Sequence, residues 1–180
     1  MPIVYISSTY RDLVPYREAA ARAARAFECR TIAMEDYVAT DERPLDKCRD
    51  DVHRSDIYIG IIARRYGYRP PGESKSITQL EYEAAHDKTR LIFFLDDDVR
   101  WDRAHTDRGP DAKALARFKD EVQREHLGKP FTNPDNLEAR VSQALGMYLK
   151  ARPEVVPPLL PYLSDRSDQT CRHPTPSVGL

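Results

Sequence analysis

Two short runs decide most of what this chain can fold into. Asp56-Ile57-Tyr58-Ile59-Gly60-Ile61-Ile62-Ala63 and Leu91-Ile92-Phe93-Phe94-Leu95 are apolar at successive positions, not alternate ones. Successive side chains of a strand point to opposite faces of its sheet, so strands of this kind must be covered on both sides. That is the interior of a parallel sheet layered by helices.

The remaining segments supply the layers. Ile3, Val4, Tyr5 and Ile6 make residues 2–7 a compact β-branched and aromatic strand. From Val14 to Glu28, Ala20, Ala23, Ala24 and Phe27 recur at three- and four-residue steps, the spacing of a helix. A short strand is expected near 30–34, and Pro44 suits the first turn of a helix reaching about residue 54. Further helices are expected over about 76–87 and over 111–126, the latter with Leu115, Phe118 and Val122 on one stripe. A weak edge strand at 129–132 precedes a last helix to about 150, capped by Asn133 or Asp135.

This alternation predicts a flavodoxin-like three-layer α/β sandwich. Its sheet would hold about five parallel strands in the order 2-1-3-4-5, joined by right-handed crossovers. The first turn, Ser7-Ser8-Thr9-Tyr10, carries none of the glycines of a dinucleotide fingerprint, which argues against a strict Rossmann fold. With 180 residues the chain holds one domain over about 1–150. From Arg152 the character changes: Pro153, Pro157, Pro158, Pro161, Pro174 and Pro176 mark 151–180 as a linker or the start of a following module, partly disordered. The chain therefore reads as one domain of a longer protein.

Charge narrows the function classes. Lysine plus arginine number 28 against 29 acids, a net charge of -1, so no field steers nucleic acid to the surface. No apolar run approaches the ~20 residues that cross a bilayer, and the first residues read as a strand rather than a signal peptide. Cys29, Cys48 and Cys171 are odd in number and widely spaced, which fits neither a disulfide framework nor a zinc site and points to a reducing cytoplasm. The histidines show no metal-ligand spacing, and neither a metal nor a bound cofactor is expected.

In open α/β sheets ligands bind beyond the carboxyl ends of the strands, which selects four loops. Ser7-Ser8-Thr9-Tyr10-Arg11-Asp12 offers hydroxyls, backbone N–H groups and a guanidinium to an anion or ribose phosphate, or caps the following helix. Met34 to Glu42, with Glu35 and Asp36, is a charged loop beside the crevice or a solvated connection. Arg64-Arg65-Tyr66-Gly67-Tyr68-Arg69 combines stacking faces with phosphate-gripping guanidiniums. Its tyrosines serve equally well as anchors packed into the domain. Asp96-Asp97-Asp98 could hold Mg²⁺ and would then suit a phosphohydrolase, although aspartate-rich turns are common.

One carboxylate stands apart. Ser76-Ile77-Thr78-Gln79 matches a capping box and starts a helix on which Ile77, Leu80 and Ala84 share a face. At roughly 100° per residue, Glu81 lies only about 40° from Ile77, in or beside the buried sector. Glu83 falls with Ser76, Gln79 and His86 on the polar side. A carboxylate turned inward needs a partner or a cleft, and burial raises its affinity for protons. Glu81 is the expected catalytic centre; a pairing with Arg64 or Arg65, or a boundary position with its head in water, is the bland alternative.

The segments Ile6-Ser7-Ser8-Thr9-Tyr10-Arg11-Asp12-Leu13, Met34-Glu35-Asp36, Ser55-Asp56-Ile57-Tyr58-Ile59-Gly60, Arg65-Tyr66-Gly67 and Ser76 through Ala85 together resemble an uncharacterised TIR-like family. That family is found at the N-termini of NACHT- and STAND-type ATPases and related conflict or signalling proteins, and the resemblance covers about 1–150. Pro157 to Ser167 is similar to the entry into a STAND-like module. Enzymatic TIR domains cleave NAD at the nicotinamide–ribose bond, often with the pattern Ser-x-Trp-Cys-x-x-Glu-x-x-x-Ala. Glu81 takes the glutamate place, Ala85 the alanine place and Ser76 the serine place, while Thr78, Gln79 and Leu80 stand where Trp-Cys would be. Nucleoside deoxyribosyltransferases are similar in fold and also carry a glutamate on this helix.

The resemblance implies a cytoplasmic NAD (N-ribosyl bond) hydrolase of bacterial immunity or signalling, active when its parent assembles. Glu81 would be catalytic. Ser7, Ser8, Thr9, Tyr10, Arg11, Glu35, Arg65, Tyr66 and Ser76 would bind substrate, with Tyr66 stacking on a base. The competing reading, favoured by the missing Trp-Cys pair, is a non-enzymatic module that self-associates or binds a nucleotide or protein partner.

Overall fold

The computed structural model describes residues 1–33 and 44–152. Within them the strands are β1 (Ile3–Ser8), β2 (Arg30–Ile32), β3 (Ile57–Ile62), β4 (Thr89–Leu95) and β5 (Lys129–Phe131). The helices are α1 (Val14–Ala26), α2 (Pro44–Arg54), α3 (Ile77–Ala84), α4 (Pro110–Glu125) and α5 (Pro134–Ala151), with a 3-10 turn at Arg103–His105. All the strand pairs are parallel, in the order β2-β1-β3-β4-β5. This is the flavodoxin-like arrangement expected from the alternation of strands and helices.

Local chemistry explains the element boundaries. Prolines occupy the first turns of α1, α4 and α5, where a missing N–H is harmless. Asn133, rather than Asp135, caps α5 by accepting a hydrogen bond from the Asn136 backbone N–H at 2.8 Å. α3 ends at Ala84, about three residues short of the expected limit, because the chain turns over 85–88 into a β4 that begins at Thr89.

Every residue of β3 is buried, as its unbroken apolar run requires. On one face, Val4, Ile6, Ile57, Ile59 and Phe93 meet α1 and α5 through Ala20, Ala23, Ala24, Leu137 and Val141. On the other, Tyr5, Tyr58, Ile62, Ile92 and Phe94 meet α2, α3 and α4 through Val52, Tyr82, Phe118 and Val122. Alternation along β1 therefore places Tyr5 and Ser7 on the α3 side. Trp101, in the β4–α4 connection, packs on Tyr16 of α1 with ring centroids 5.6 Å apart, and Tyr16 meets Phe131 of β5 at 5.3 Å.

Gly128 shows how closely β5 approaches the second face. A Cβ on this residue would lie 2.3 Å from Cε2 of Phe94, inside any real contact. Gly128→Ala must displace that ring from its place in the core, and the expected cost is about 1–3 kcal/mol. The urea midpoint measures it; an unchanged midpoint would mean that the ring swings aside freely.

Candidate functional site

The order of the strands reverses between β1 and β3, and the buried polar groups gather at this switch point. Of the eleven buried polar or charged residues described, all but Asp51 and Ser55 come from two segments, 7–17 and 76–81. Burial of such groups is unfavourable unless they are partnered, so their concentration in one place needs a local cause.

Glu81 lies at the centre of this cluster, 6% exposed. Its partners come from β1: the Tyr5 hydroxyl donates to Oε1 at 2.8 Å, and the Ser7 hydroxyl donates to Oε2. Burial raises the affinity of Glu81 for its proton, against the opposing hydrogen bonds from Ser7 and Tyr5, the charge of Arg17 and the thiol of Cys48 on α2. Burial likewise pushes the Tyr58 hydroxyl well above its ordinary value, with the Glu81 charge adding to the shift. Tyr58 is the register partner of Tyr5, and the two rings stack with centroids 6.3 Å apart. Gly60, opposite Ser7, makes room for this ring: a Cβ there would sit 3.0 Å from Cε1 of Tyr58.

Neither alternative partner of Glu81 is used. Arg64 donates to Asp97 Oδ1 at 2.9 Å, and Arg65 approaches Asp107 at 3.6 Å. Arg17, 2% exposed, instead reaches the first turn from α1 and donates to the Ser8 hydroxyl at 2.9 Å. The Ser8 hydroxyl in turn donates to the Thr9 carbonyl at 2.9 Å.

The third loop folds inward. The Tyr66 backbone N–H donates to Asp107 at 2.7 Å, and its hydroxyl donates to Gln79 Oε1 at 2.6 Å. Arg69 lies over the Tyr66 ring, 4.7 Å from its centroid, and pairs with Asp111 at 2.6 Å. Tyr66 is thus an anchor with one face already covered, while Tyr68 is exposed. Gly67, at φ +98°, lets the loop press on Thr9, Thr78 and Ser76: its missing Cβ would be 3.2 Å from Thr9 Cγ2.

That inward loop corrects the polar side of the helical wheel. Ser76 and Gln79 are buried beneath it rather than solvated, whereas Glu83 remains partly exposed and pairs with Lys75 at 2.8 Å. The capping box is half made. Ser76 accepts from the Gln79 backbone N–H at 3.3 Å, but the Gln79 side chain bonds to Tyr66 and Glu83 instead of returning to Ser76.

The structure brings Ser7, Ser8, Thr9, Ser76 and Glu81 to one end of the sheet and leaves Tyr10 and Arg11 exposed beside them. Arg65 and Tyr66 are committed to Asp107 and Gln79. Glu35 falls outside the described residues. The aspartates after β4 form a turn, with Asp96 accepting from the Asp98 backbone N–H at 2.9 Å. Among the described residues, no group of three or more histidines, cysteines or acids is placed to hold a metal ion, and no helix is long and apolar enough to cross a membrane.

Tyr5, Arg17, Cys48 and Tyr58 escaped the sequence reading. Strand alternation could have paired Tyr5 with Ser7, and the interruption of an alanine face by Arg17 was a second available signal.

Comparison with known proteins gives three results. A family model described as "Domain of unknown function (DUF4062)" matches residues 3–146. The rat (Rattus norvegicus) telomerase protein component 1 is 34% identical over 38% of this chain, and the chain spans only 3% of that relative. Among solved structures, a flavodiiron core from Synechocystis sp. PCC6803 shares 12% identity at a TM-score of 0.42, covering 81% of this chain and 36% of that one. A flavodoxin-like domain from Synechococcus sp. shares 10% identity at 0.39, covering 81% of this chain and 98% of that one.

Proposed function

The chain belongs to the DUF4062 family, and from that premise we propose that it is a TIR-like effector module that hydrolyses the N-ribosyl bond of NAD. One observation carries this reading: a buried carboxylate, Glu81, is anchored through both oxygens at the β1/β3 switch point. Cleavage of the bond leaves its electron pair on the departing nicotinamide and positive charge on the ribose, which a fixed carboxylate stabilises. Water then bonds to the ribose carbon, and its proton passes to Glu81, whose raised proton affinity suits a base. Tyr5 and Ser7 hold both oxygens in the resting arrangement, so the reading requires α3 to shift against β1 on activation. It places the module in the cytoplasm, at the N-terminus of a NACHT- or STAND-type ATPase whose assembly supplies that shift.

The same pair of hydroxyls favours a second reading. A carboxylate that is 6% exposed and doubly hydrogen-bonded is also a lock between β1 and α3. The module would then self-associate or bind a nucleotide or protein partner without chemistry.

The two readings separate in one assay. A forced oligomer is incubated with NAD while nicotinamide is followed, beside light scattering of the native chain with and without NAD. Wild type is expected to release nicotinamide, and Glu81→Gln to be slower by roughly 100-fold or more. No release from wild type, or equal release from both proteins, removes the enzymatic reading.

A further inference from the structure

The first turn holds two buried side chains whose polar atoms serve nothing in the fold. Thr9 is 7% exposed and Asp12 6%. Thr9 Oγ1 and both carboxylate oxygens of Asp12 are buried without a hydrogen-bond partner among the described residues. Capping does not explain Asp12: the N-cap of α1 is Leu13, which makes no side-chain cap hydrogen bond, and neither Asp12 oxygen has a partner among the described residues. A buried carboxylate without a partner is among the least favourable groups a fold can retain, and here a threonine hydroxyl three residues away is in the same condition.

The surroundings indicate which chemistry would satisfy them. The Asp12 charge already lies beside the positive end of α1, and Arg17 brings a guanidinium to the same turn through Ser8. A cationic ligand would meet that positive field, whereas a neutral group with two adjacent donors would not. Two vicinal hydroxyls match the pair of orphan carboxylate oxygens, and the threonine hydroxyl can donate to or accept from the same group. The turn is also next to the Glu81 site, because Ser7 bonds to Glu81 and Thr9 packs under Gly67.

We propose that Asp12 and Thr9 form a seat for the 2′,3′-diol of a ribose, with Asp12 accepting both hydroxyl protons. The inference rests on the N-ribosyl reading for its ligand class and adds the part of the nucleotide that is recognised.

Calorimetric titration with nicotinamide mononucleotide and with its 2′,3′-dideoxy analogue tests the seat. Wild type is expected to favour the diol roughly 10- to 100-fold, the range for hydrogen bonds to a charged acceptor. Asp12→Asn should bring the ratio near one, and Thr9→Val should lower it part of the way. Both variants should unfold at the wild-type urea midpoint or above it, since neither removes a native hydrogen bond. A ratio that survives Asp12→Asn, no binding of the mononucleotide to wild type, or a clear fall in both midpoints would overturn the proposal. Nicotinamide release is read on the same samples. Discrimination without release leaves the diol seat standing and removes the cleavage reading, and release indifferent to Asp12 does the reverse.

Discussion

Replacing Glu81 by alanine is expected to destabilise the domain by about 3–5 kcal/mol, the range for stripping one partner from a buried charged network. The Tyr5 and Ser7 hydroxyls would each lose the buried carboxylate oxygen that accepts from them, and the side chain would leave a void between α3 and β1. The melting temperature of a chain this size should fall by roughly 10 °C. Glu81→Gln keeps the volume and one acceptor, and should lose less than half as much. Urea unfolding with unchanged slope measures both. If the alanine variant matches wild type, the carboxylate does not organise this end of the sheet, and the catalytic reading loses its anchored base as well.

Arg17→Met should act on Glu81 from a distance. Methionine retains most of the buried stem but removes the hydrogen bond to Ser8 and the charge that opposes the raised proton affinity of Glu81. A cost of about 2 kcal/mol is expected for the lost charged hydrogen bond. The more diagnostic effect is on pH dependence. Because burial raises the native proton affinity of Glu81, the folded state keeps a proton that the unfolded chain has released above about pH 4.3. Stability from this group is therefore complete below that pH and declines as pH rises through the raised native value. Wild type should lose ground to Glu81→Gln on going up through this window, and Arg17→Met should extend the window upward. Urea midpoints across the pH range, together with the Glu81 carboxyl ¹³C shift, follow it; a titration in Arg17→Met at or below wild type would show that the guanidinium is not felt at Glu81.

The sheet and its order were legible because periodicity is a local signal. Runs such as Ile57–Ile62 and the alanine face of α1 declare which sides are buried without reference to anything distant. Glu81 was legible for the same reason, since a wheel places it beside Ile77. Gln79 was not. The wheel puts it in solvent, and only a loop more than ten residues upstream, bent inward at Gly67 and pinned by Asp107, covers it. Tyr5 was hidden by its own type: in a strand it reads as an apolar residue, and the use of its hydroxyl depends on a helix 76 positions away. The same holds for Asp12, which by position is an ordinary residue at the start of a helix.

The aromatic residues divide the molecule into two optically distinct halves. Trp101 is the sole tryptophan of the chain, and its tilted contact with Tyr16 belongs to the layer of α1 and β5. Tyr5, Tyr58 and Tyr82 form a continuous ring series in the opposite layer, leading to the carboxylate. Indole emission excited at its red edge therefore reports one side of the sheet, while near-ultraviolet tyrosine dichroism also draws on the ring series of the other. Superimposable unfolding curves from the two signals would mark the sandwich as a single cooperative unit. A tyrosine signal lost first would reveal that the layer around Glu81 opens on its own, which is the freedom an activatable site requires.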